Sequence, residues 1–151
     1  MRMKPYALFS ALFLSGAIWA QPGTIDPTFN TIDPGNGKGD GTNGDVMALA
    51  VQADGHIVVG GSFSRYNGSI SENLLRLMPD GTIDPSFNCG QGPSQEVDAI
   101  AIDAEGRILI GGYFAEVDGN ASAGVARLNS DGSFDPSFNV GTGSGPPVRT
   151  L

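Results

Sequence analysis

Short runs of apolar residues, separated by turn residues, follow one another along most of this chain. The first run covers 46–52, and the second begins at 56 after an Ala-Asp-Gly turn. A third run covers 73–78, and a Pro-Asp-Gly turn leads from it into the phrase GTIDPSFN at 81–88. No helical period appears after residue 20, where glycine and proline recur at short intervals. The pattern therefore predicts an all-β protein of antiparallel strands joined by tight turns.

The pattern of four runs occurs twice. A shift of 51 residues places 46–88 on 97–139 without a gap, and nearly half of the aligned residues are identical. The final phrase also stands alone as GTIDPTFN at 23–30. Self-similarity at a period of about 50 residues is typical of propellers and other repeat architectures. We therefore interpret each run of four strands as one structural unit.

The repeats divide the chain into five predicted segments. These are a signal peptide at 1–20, the fourth strand of a partial repeat with a glycine-rich loop at 21–45, whole repeats at 46–96 and 97–147, and the start of a truncated third repeat at 148–151. Known propeller rings use about 4–8 blades. We therefore expect the natural protein to continue in further units, and the two units alone to associate or unfold with little cooperativity.

Turn chemistry predicts the register of the hairpins. A three-residue turn that ends in a left-handed glycine explains Gly81 and Gly132, because glycine has no β-carbon to clash there. This register sets three pairs of opposite charges across the hairpins: Arg76 with Asp84, Arg127 with Asp135, and Asp103 with Arg107. The proline of each phrase ends strand pairing, since it has no N–H group. Phe87 is then free to anchor the connection to the next unit.

The first strand of a unit is apolar on both faces. Strict alternation places Val46, Ala48 and Ala50 on one face, and Met47, Leu49 and Val51 on the other. A sheet with one wet face would alternate apolar and polar residues instead. We therefore expect neighbouring sheets on both faces. Four-stranded antiparallel sheets packed face to face are the blades of a β-propeller, here about two complete blades and partial ones.

The repeated motifs resemble a known family. The motif D-G-x-I-[LV]-[IV]-G-G-x-F, followed by R-L and by D-G-[TS]-[IF]-D-P-S-F-N, is similar to the bacterial delta-60 repeat, a β-propeller domain of unknown function. The glycine pairs at 60–61 and 111–112 also resemble those of kelch blades. The resemblance implies secreted or surface proteins built of repeated blades. It implies no agreed activity and no catalytic residues.

The start of the chain predicts export. Arg2 and Lys4 precede an apolar run too short to span a bilayer, and Ala20 ends it, as in a secretory signal peptide cleaved before Gln21. The net charge of −8 becomes −10 once this segment is removed. Such acidity argues against nucleic acid as a partner, and we expect no membrane association after cleavage. Cys89 is the only cysteine, so no internal disulfide is expected.

The segment between the second and third strands is the predicted interaction site. It differs between the units while the flanking strands agree, which is how binding surfaces are built on rigid sheets. The candidate residues are Arg65, Tyr66, Asn67, Glu116, Asp118 and Asn120. Tyr66 with Arg65 is a candidate for stacking on a sugar or a peptide, although the sequence favours solvated loop residues there. The expected partner is an extracellular protein or glycan.

Chemistry of other kinds has weaker support in the sequence. His56 occupies the position of Arg107 in the next unit, which favours a surface strand residue over a catalytic base. Oxygen-bearing side chains of the glycine-rich loop suit Ca²⁺ in type but not in spacing, so we favour a flexible loop and no cofactor: Asp33, Asn36, Asp40, Asn43 and Asp45. We expect a non-enzymatic secreted or cell-surface propeller for binding or structure. The alternative is the propeller of an extracellular carbohydrate-active lyase or hydrolase.

Overall fold

A computed structural model describes residues 26–30, 41–138, 141 and 147–151. Within these residues the secondary structure consists of β-strands, and the predicted absence of helices is confirmed there. The described part of the chain contains no helix long and apolar enough to cross a membrane. The predicted signal peptide and most of the glycine-rich loop lie outside the described residues.

Each unit contains a three-stranded antiparallel sheet and a small hairpin. The first sheet has the order β1 (Asp45–Val51), β2 (Ile57–Ser62), β5 (Leu74–Leu77), and the second has the order β6 (Val97–Ile102), β7 (Ile108–Gly112), β10 (Val125–Leu128). The hairpins are β3 (Arg65–Tyr66) with β4 (Ser69–Ile70), and β8 (Glu116–Val117) with β9 (Asn120–Ala121).

The predicted fourth strand is reduced to a single bridge in each unit. Leu77 pairs with Ile83, and Leu128 pairs with Phe134. Pairing on this edge ends before Pro85 and Pro136, which have no N–H group to continue a ladder. Within the described residues, each sheet therefore has three strands, and the fourth strand is represented by one bridged residue.

The predicted hairpin register is confirmed. The Met78 N–H donates to the Thr82 carbonyl at 2.8 Å, and the Asp84 N–H donates to the Arg76 carbonyl at 2.9 Å. Gly81 and Gly132 have φ values of +84° and +94°, in the left-handed region. Ion pairs of 2.7 Å join the three predicted pairs of opposite charges: Arg76 with Asp84, Arg127 with Asp135, and Asp103 with Arg107.

Strict alternation along the first strand is wrong, because a bulge interrupts it. Val46 pairs with Gly61 and Ala48 with Gly60, so Met47 is the extra residue. The bulge recurs in β6, where both Val97 and Ile100 contact Gly60 and thus lie on one face. Val46 therefore lies on the face of Leu49 and Val51 rather than on that of the alanines.

The glycine pairs allow this bulge and the packing of the next unit. A β-carbon at Gly61 would collide with the carbonyl oxygen of Asp45 in the bulged strand. A β-carbon at Gly60 would lie 2.7 Å from Cγ1 of Val97 and 2.9 Å from Cδ1 of Ile100. Gly61 therefore leaves space for the bulged first strand of its own sheet, and Gly60 leaves space for the first strand of the following unit.

The larger core cluster joins the two units. Val58 and Leu74 of the first sheet pack with buried residues of the second, among them Val97, Ile110 and Phe114. A smaller cluster lies within the first unit and includes Val59, Phe63, Tyr66, Leu75 and Leu77. Seven of its nine buried residues belong to the second unit, so the first unit completes a core that the second unit largely supplies.

The first two phrases, at 23–30 and 81–88, each end in contact with the Asp-Gly turn of the following unit. The Asn88 N–H donates to the Asp131 carbonyl at 2.8 Å, and the ring of Phe87 lies against Gly132. One unit earlier, Asn30 and Phe29 make the same contacts with Asp80 and Gly81. Phe87 thus anchors the connection between units, as the sequence predicts.

Substituting Gly132 tests this contact against a matched glycine. Gly106 is also left-handed, with φ of +80°, but a β-carbon there would meet no atom within 4 Å. Gly106→Ala should lower the free energy of unfolding by about 1–2 kcal/mol through backbone strain alone. Gly132→Ala should cost a further ~1–3 kcal/mol, because its β-carbon would overlap the Phe87 ring. Urea unfolding of both variants measures the difference, and equal losses would contradict the contact.

Candidate functional site

The segment predicted as an interaction loop folds as a short β-hairpin in both units. Asn67 and Gly68 have φ values of +45° and +79°, and Asp118 and Gly119 have +48° and +71°. Two consecutive left-handed residues form the type I′ turn that Asn-Gly and Asp-Gly favour. Asn67-Gly68 and Asp118-Gly119 are therefore sequence signals for these hairpins, and the prediction of a loop did not take them into account.

Tyr66 does not lie on the surface. Its side chain is 6% exposed, and its hydroxyl donates to the Gly81 carbonyl at 2.8 Å. The ring packs in the cluster of the first unit, so stacking on a ligand does not fit its position. Arg65, beside it on β3, is exposed, and its Nη1 donates to the Gly68 carbonyl of the same hairpin at 2.9 Å.

Asn67 and Asp118 hold the chain that enters each unit. The Asn67 Oδ1 accepts from the Gly41 N–H at 2.6 Å, and its Nδ2 donates to Asn30 Oδ1 at 2.8 Å. The Asp118 Oδ1 accepts from the Gln91 N–H at 3.0 Å. These two turn side chains therefore have a structural role in the connection between units.

Glu116 and Asn120 are the exposed candidates of the second hairpin. Glu116 lies on β8 and Asn120 on β9. The Asn120 Nδ2 donates to the Asp118 carbonyl at 3.0 Å, which stabilises the turn. The structure thus places the six predicted residues at equivalent hairpins of two units, and among them Asn120 also borders a cleft.

A cleft lies beside the hairpin in each unit. The first has a volume of about 350 Å³ and is bordered by Ile70 and Ser71 on one side and by the connector 87–92 on the other. The second has a volume of about 370 Å³. Its lining repeats that of the first cleft after the 51-residue shift at eight positions: Ala121, Ser122, Val125, Ala126, Phe134, Pro136, Phe138 and Gly141. The cleft is therefore a feature of the repeat.

The outer strand of the sheet forms the floor of each cleft. Leu74 and Leu75 of β5 line the first cleft together with Ile83 and Pro85. In the described residues β5 is the edge strand of its sheet, and its outer partner does not extend beyond the bridge at Ile83. The cleft consequently lies where a longer fourth strand would continue, beside the outer edge of β5, where the Leu74 N–H donates to the Glu72 carbonyl at 2.7 Å.

Asp84 and Phe87 enclose the side chain of Arg76, an arrangement that we call the arginine cage, and this cage supports the floor of the first cleft. Arg76 is 8% exposed and pairs with Asp84, which is 3% exposed. Its guanidinium lies 4.9 Å from the centroid of the Phe87 ring, and Nη1 also donates to the Ser130 carbonyl of the second unit. Burial opposes ionisation of Asp84, but hydrogen bonds from Ser86 and Arg76 outweigh it and lower the pKa. The cage thus fixes the phrase to its sheet and to the next unit.

The second unit repeats the cage. Arg127 Nε lies 2.7 Å from Asp135 Oδ2, and the guanidinium lies 4.8 Å from the centroid of Phe138. Hydrogen bonds from the Ser137 side chain and N–H, together with Arg127, lower the pKa of Asp135 to about 2. The repeated Asp-Pro-Ser-Phe sequence is therefore explained by structure: aspartate and phenylalanine enclose an arginine, and serine holds the aspartate.

The other polar candidates also occupy structural positions. His56 lies between two carboxylates, with Nδ1 3.0 Å from Asp54 Oδ1 and Nε2 3.5 Å from Asp84 Oδ2. The Asn43 Oδ1 accepts from the N–H groups of Ser64 and Arg65, both at 2.9 Å. Of the other suggested calcium ligands, Asp33, Asn36 and Asp40 lie outside the described residues. Within the described ranges, no group of three His, Cys, Asp or Glu residues could hold a metal ion.

Antiparallel sheets that recur after 51 residues define an all-β repeat protein. Residues 52–87 and 104–138, one segment in each unit, match the family described as a domain of unknown function (DUF5122) β-propeller. This match confirms the resemblance found in the motifs. The match covers just under half of the chain. Comparisons with curated proteins and with solved structures found no significant match.

The depressed pKa of Asp135 predicts acid sensitivity. Because its folded pKa is about 2 against an ordinary 3.8, its ionised form stabilises the fold above pH 4, and this contribution disappears as pH falls through about 2. Asp135→Asn should be less stable at neutral pH and should lose less stability between pH 4 and 2. Urea midpoints across this range measure both effects. Ser130→Ala, in the neighbouring turn, is the control, and parallel pH profiles for wild type and Asp135→Asn would contradict the role of Asp135.

Proposed function

We propose that this chain is an exported β-propeller repeat protein that binds extended peptide segments of other extracellular proteins without catalysing a reaction. Export rests on the signal peptide predicted for residues 1–20. Binding rests on the clefts between hairpin and connector. The observation that supports it most is that the same cleft recurs beside the outer strand of the sheet in both units.

The shape of the cleft favours an extended peptide. Its floor is apolar at Leu74, Leu75 and Ile83, and it runs along an edge strand whose natural partner stops before Pro85. A peptide in β-conformation can continue such an edge through main-chain hydrogen bonds, while its alternate side chains enter the cleft. The volume of about 350 Å³ suits a few side chains.

A glycan is less well supported. Sugar sites usually present an aromatic face, and Tyr66, the aromatic candidate of the first hairpin, is buried. The Phe87 ring lines the cleft but is covered on one face by Arg76. Among the described residues, the first cleft therefore presents no fully exposed aromatic face on which a sugar could stack.

The differences between the clefts fit selective binding on a common frame. Ile70 and Glu72 border the first cleft, and alanines occupy both equivalent positions, 121 and 123, in the second unit. The supporting cage is the same in both units. The shared floor and cage thus determine where a peptide binds, and the residues at 70 and 72 or at 121 and 123 determine which of its side chains fit.

A non-enzymatic role agrees with the contacts of the ionisable groups. Asp84 and Asp135 are committed to arginine cages, and His56 lies against carboxylates rather than facing a cleft. A hydrolytic pair needs two carboxyl groups free to exchange protons with substrate and water. Their commitment to the fold supports binding over catalysis.

Cys89 permits a direct test of the first cleft. It lines the cleft and is the only cysteine of the chain, although burial raises the pKa of its thiol and thereby slows its reaction with a maleimide. Peptides selected from a random display library on the purified protein should protect Cys89 from N-ethylmaleimide. Prior modification should weaken their binding at least about tenfold, or ~1.4 kcal/mol, because the adduct fills the cleft.

Cys89→Val is the matched control, because valine occupies the equivalent position 140 in the second unit. This variant should bind the same peptides before and after treatment with the reagent. Peptides that bind equally well to the modified wild-type protein would show that the first cleft is not their site. Failure to select any binding peptide would also contradict the proposal.

A further inference from the structure

The first cleft borders a second cavity. This cavity has a volume of about 410 Å³ and is lined by Asn43, Ser62, Phe63, Ser64, Glu72 and Asn73. We call it the polar notch. Glu72 lines both the cleft and the notch, so the two spaces meet at this residue. A peptide that lies in the cleft can therefore continue past Glu72 into the notch.

The notch is rich in hydrogen-bond acceptors. Glu72 is exposed, and among the described residues no ion pair includes its carboxylate. The Asn73 Nδ2 donates to the Pro93 carbonyl at 3.1 Å, so Oδ1 is the remaining polar atom of that amide. The exposed Ser62 and Ser64 add two hydroxyl oxygens. A carboxylate accompanied by neutral oxygens suits a ligand that is both a cation and a hydrogen-bond donor.

The charge at the border between cleft and notch is negative. Arg76 lines the cleft but pairs with Asp84 at 2.7 Å, which leaves Glu72 as the remaining charged residue of the lining. Arg65, on the adjacent hairpin, is exposed, and its Nη1 donates to the Gly68 carbonyl at 2.9 Å. The whole chain also has a net charge of −8. Complementarity of charge therefore favours a basic ligand.

The repeat fold does not require these polar side chains. In the second unit, Ala115 and Ala123 occupy the positions of Ser64 and Glu72. The same hairpin and the same three-stranded sheet nevertheless form there. The acceptors at positions 64 and 72 are thus specific to the first unit, and the fold does not explain them.

The lining of the notch is exposed even where a neighbouring unit is present. Ser62, Ser64 and Glu72 are exposed although the second unit follows them. Ser94, at the position of Asn43, is exposed although the first unit precedes it. Exposure is therefore a property of these positions in the repeat.

We propose that the first cleft and the polar notch together select basic peptides. An apolar side chain of an extended peptide enters the cleft, and a lysine or arginine two residues away pairs with Glu72 in the notch. This selection rests on the peptide binding proposed above. Side chains two residues apart in an extended chain lie on one face, about 7 Å from each other, and so can fill two adjoining cavities. The second cleft has alanine at 121 and 123 and offers no such carboxylate.

Peptides selected from a random display library on the purified protein test this preference. Those that protect Cys89 from N-ethylmaleimide should carry lysine or arginine two residues from an apolar residue. Replacing that basic residue by glutamine should weaken binding about five- to tenfold, because a hydrogen bond between charged groups is lost. Glu72→Gln should weaken binding of the basic peptide equally and leave the glutamine peptide unaffected. Glu72→Lys should instead favour the peptide with glutamate at that position.

Glu105→Gln is the matched control, because it removes the same charge from an exposed residue that lines neither the clefts nor the notch. It should leave binding unchanged. Glu72→Ala, which introduces the residue of the second unit, should reproduce the effect of Glu72→Gln.

The outcomes separate charge selection from peptide binding itself. Peptides that protect Cys89 but lack a basic residue, or that bind Glu72→Gln as tightly as the wild type, would overturn the selection and leave peptide binding standing. Equal losses for Glu105→Gln and Glu72→Gln would overturn the assignment of the basic residue to the notch. Failure to select any peptide would overturn both proposals.

Discussion

The absence of a β-carbon at one glycine per unit governs how the units pack. At Gly60 the first strand of the following unit approaches so closely that a methyl group would overlap Val97 and Ile100. Val148 approaches Gly111 in the same way. Because this approach brings Val58 and Leu74 into the core of the second unit, the larger hydrophobic cluster depends on it. The hydrogen bonds between units then fix the orientation of two sheets that can approach closely because glycine has no β-carbon.

Those polar contacts explain why one phrase is repeated. Its aspartate and phenylalanine enclose the arginine of the preceding strand, and its last two residues reach the turn of the following unit. Pro85 ends strand pairing at the same point, so β5 is the outer strand beside the cleft. The repeated phrase therefore connects one unit to the next and also lines the cleft that we propose as a binding site.

Sequence reasoning reached the parts of the fold that local chemistry determines. Glycine-ended turns predict the register of Arg76 with Asp84, and periodicity predicts the strands. The bulge at Met47 could not be predicted in this way. It depends on a glycine of the neighbouring strand, and the alternation of apolar and polar residues within one strand does not reveal it. The burial of Tyr66 was also missed, since it depends on a hairpin that folds back onto the sheet. The hairpin itself had a signal in Asn67-Gly68.

The packing of units through glycine is tested most directly by a double-mutant cycle on Gly60 and Val97. Gly60→Ala alone should destabilise the protein, because the new methyl group would overlap Val97 Cγ1. In a Val97→Ala background that atom is absent, so the same substitution should cost less, with a coupling energy of about 1 kcal/mol or more in urea unfolding. Additive effects, with a coupling energy near zero, would contradict this account of how the units pack.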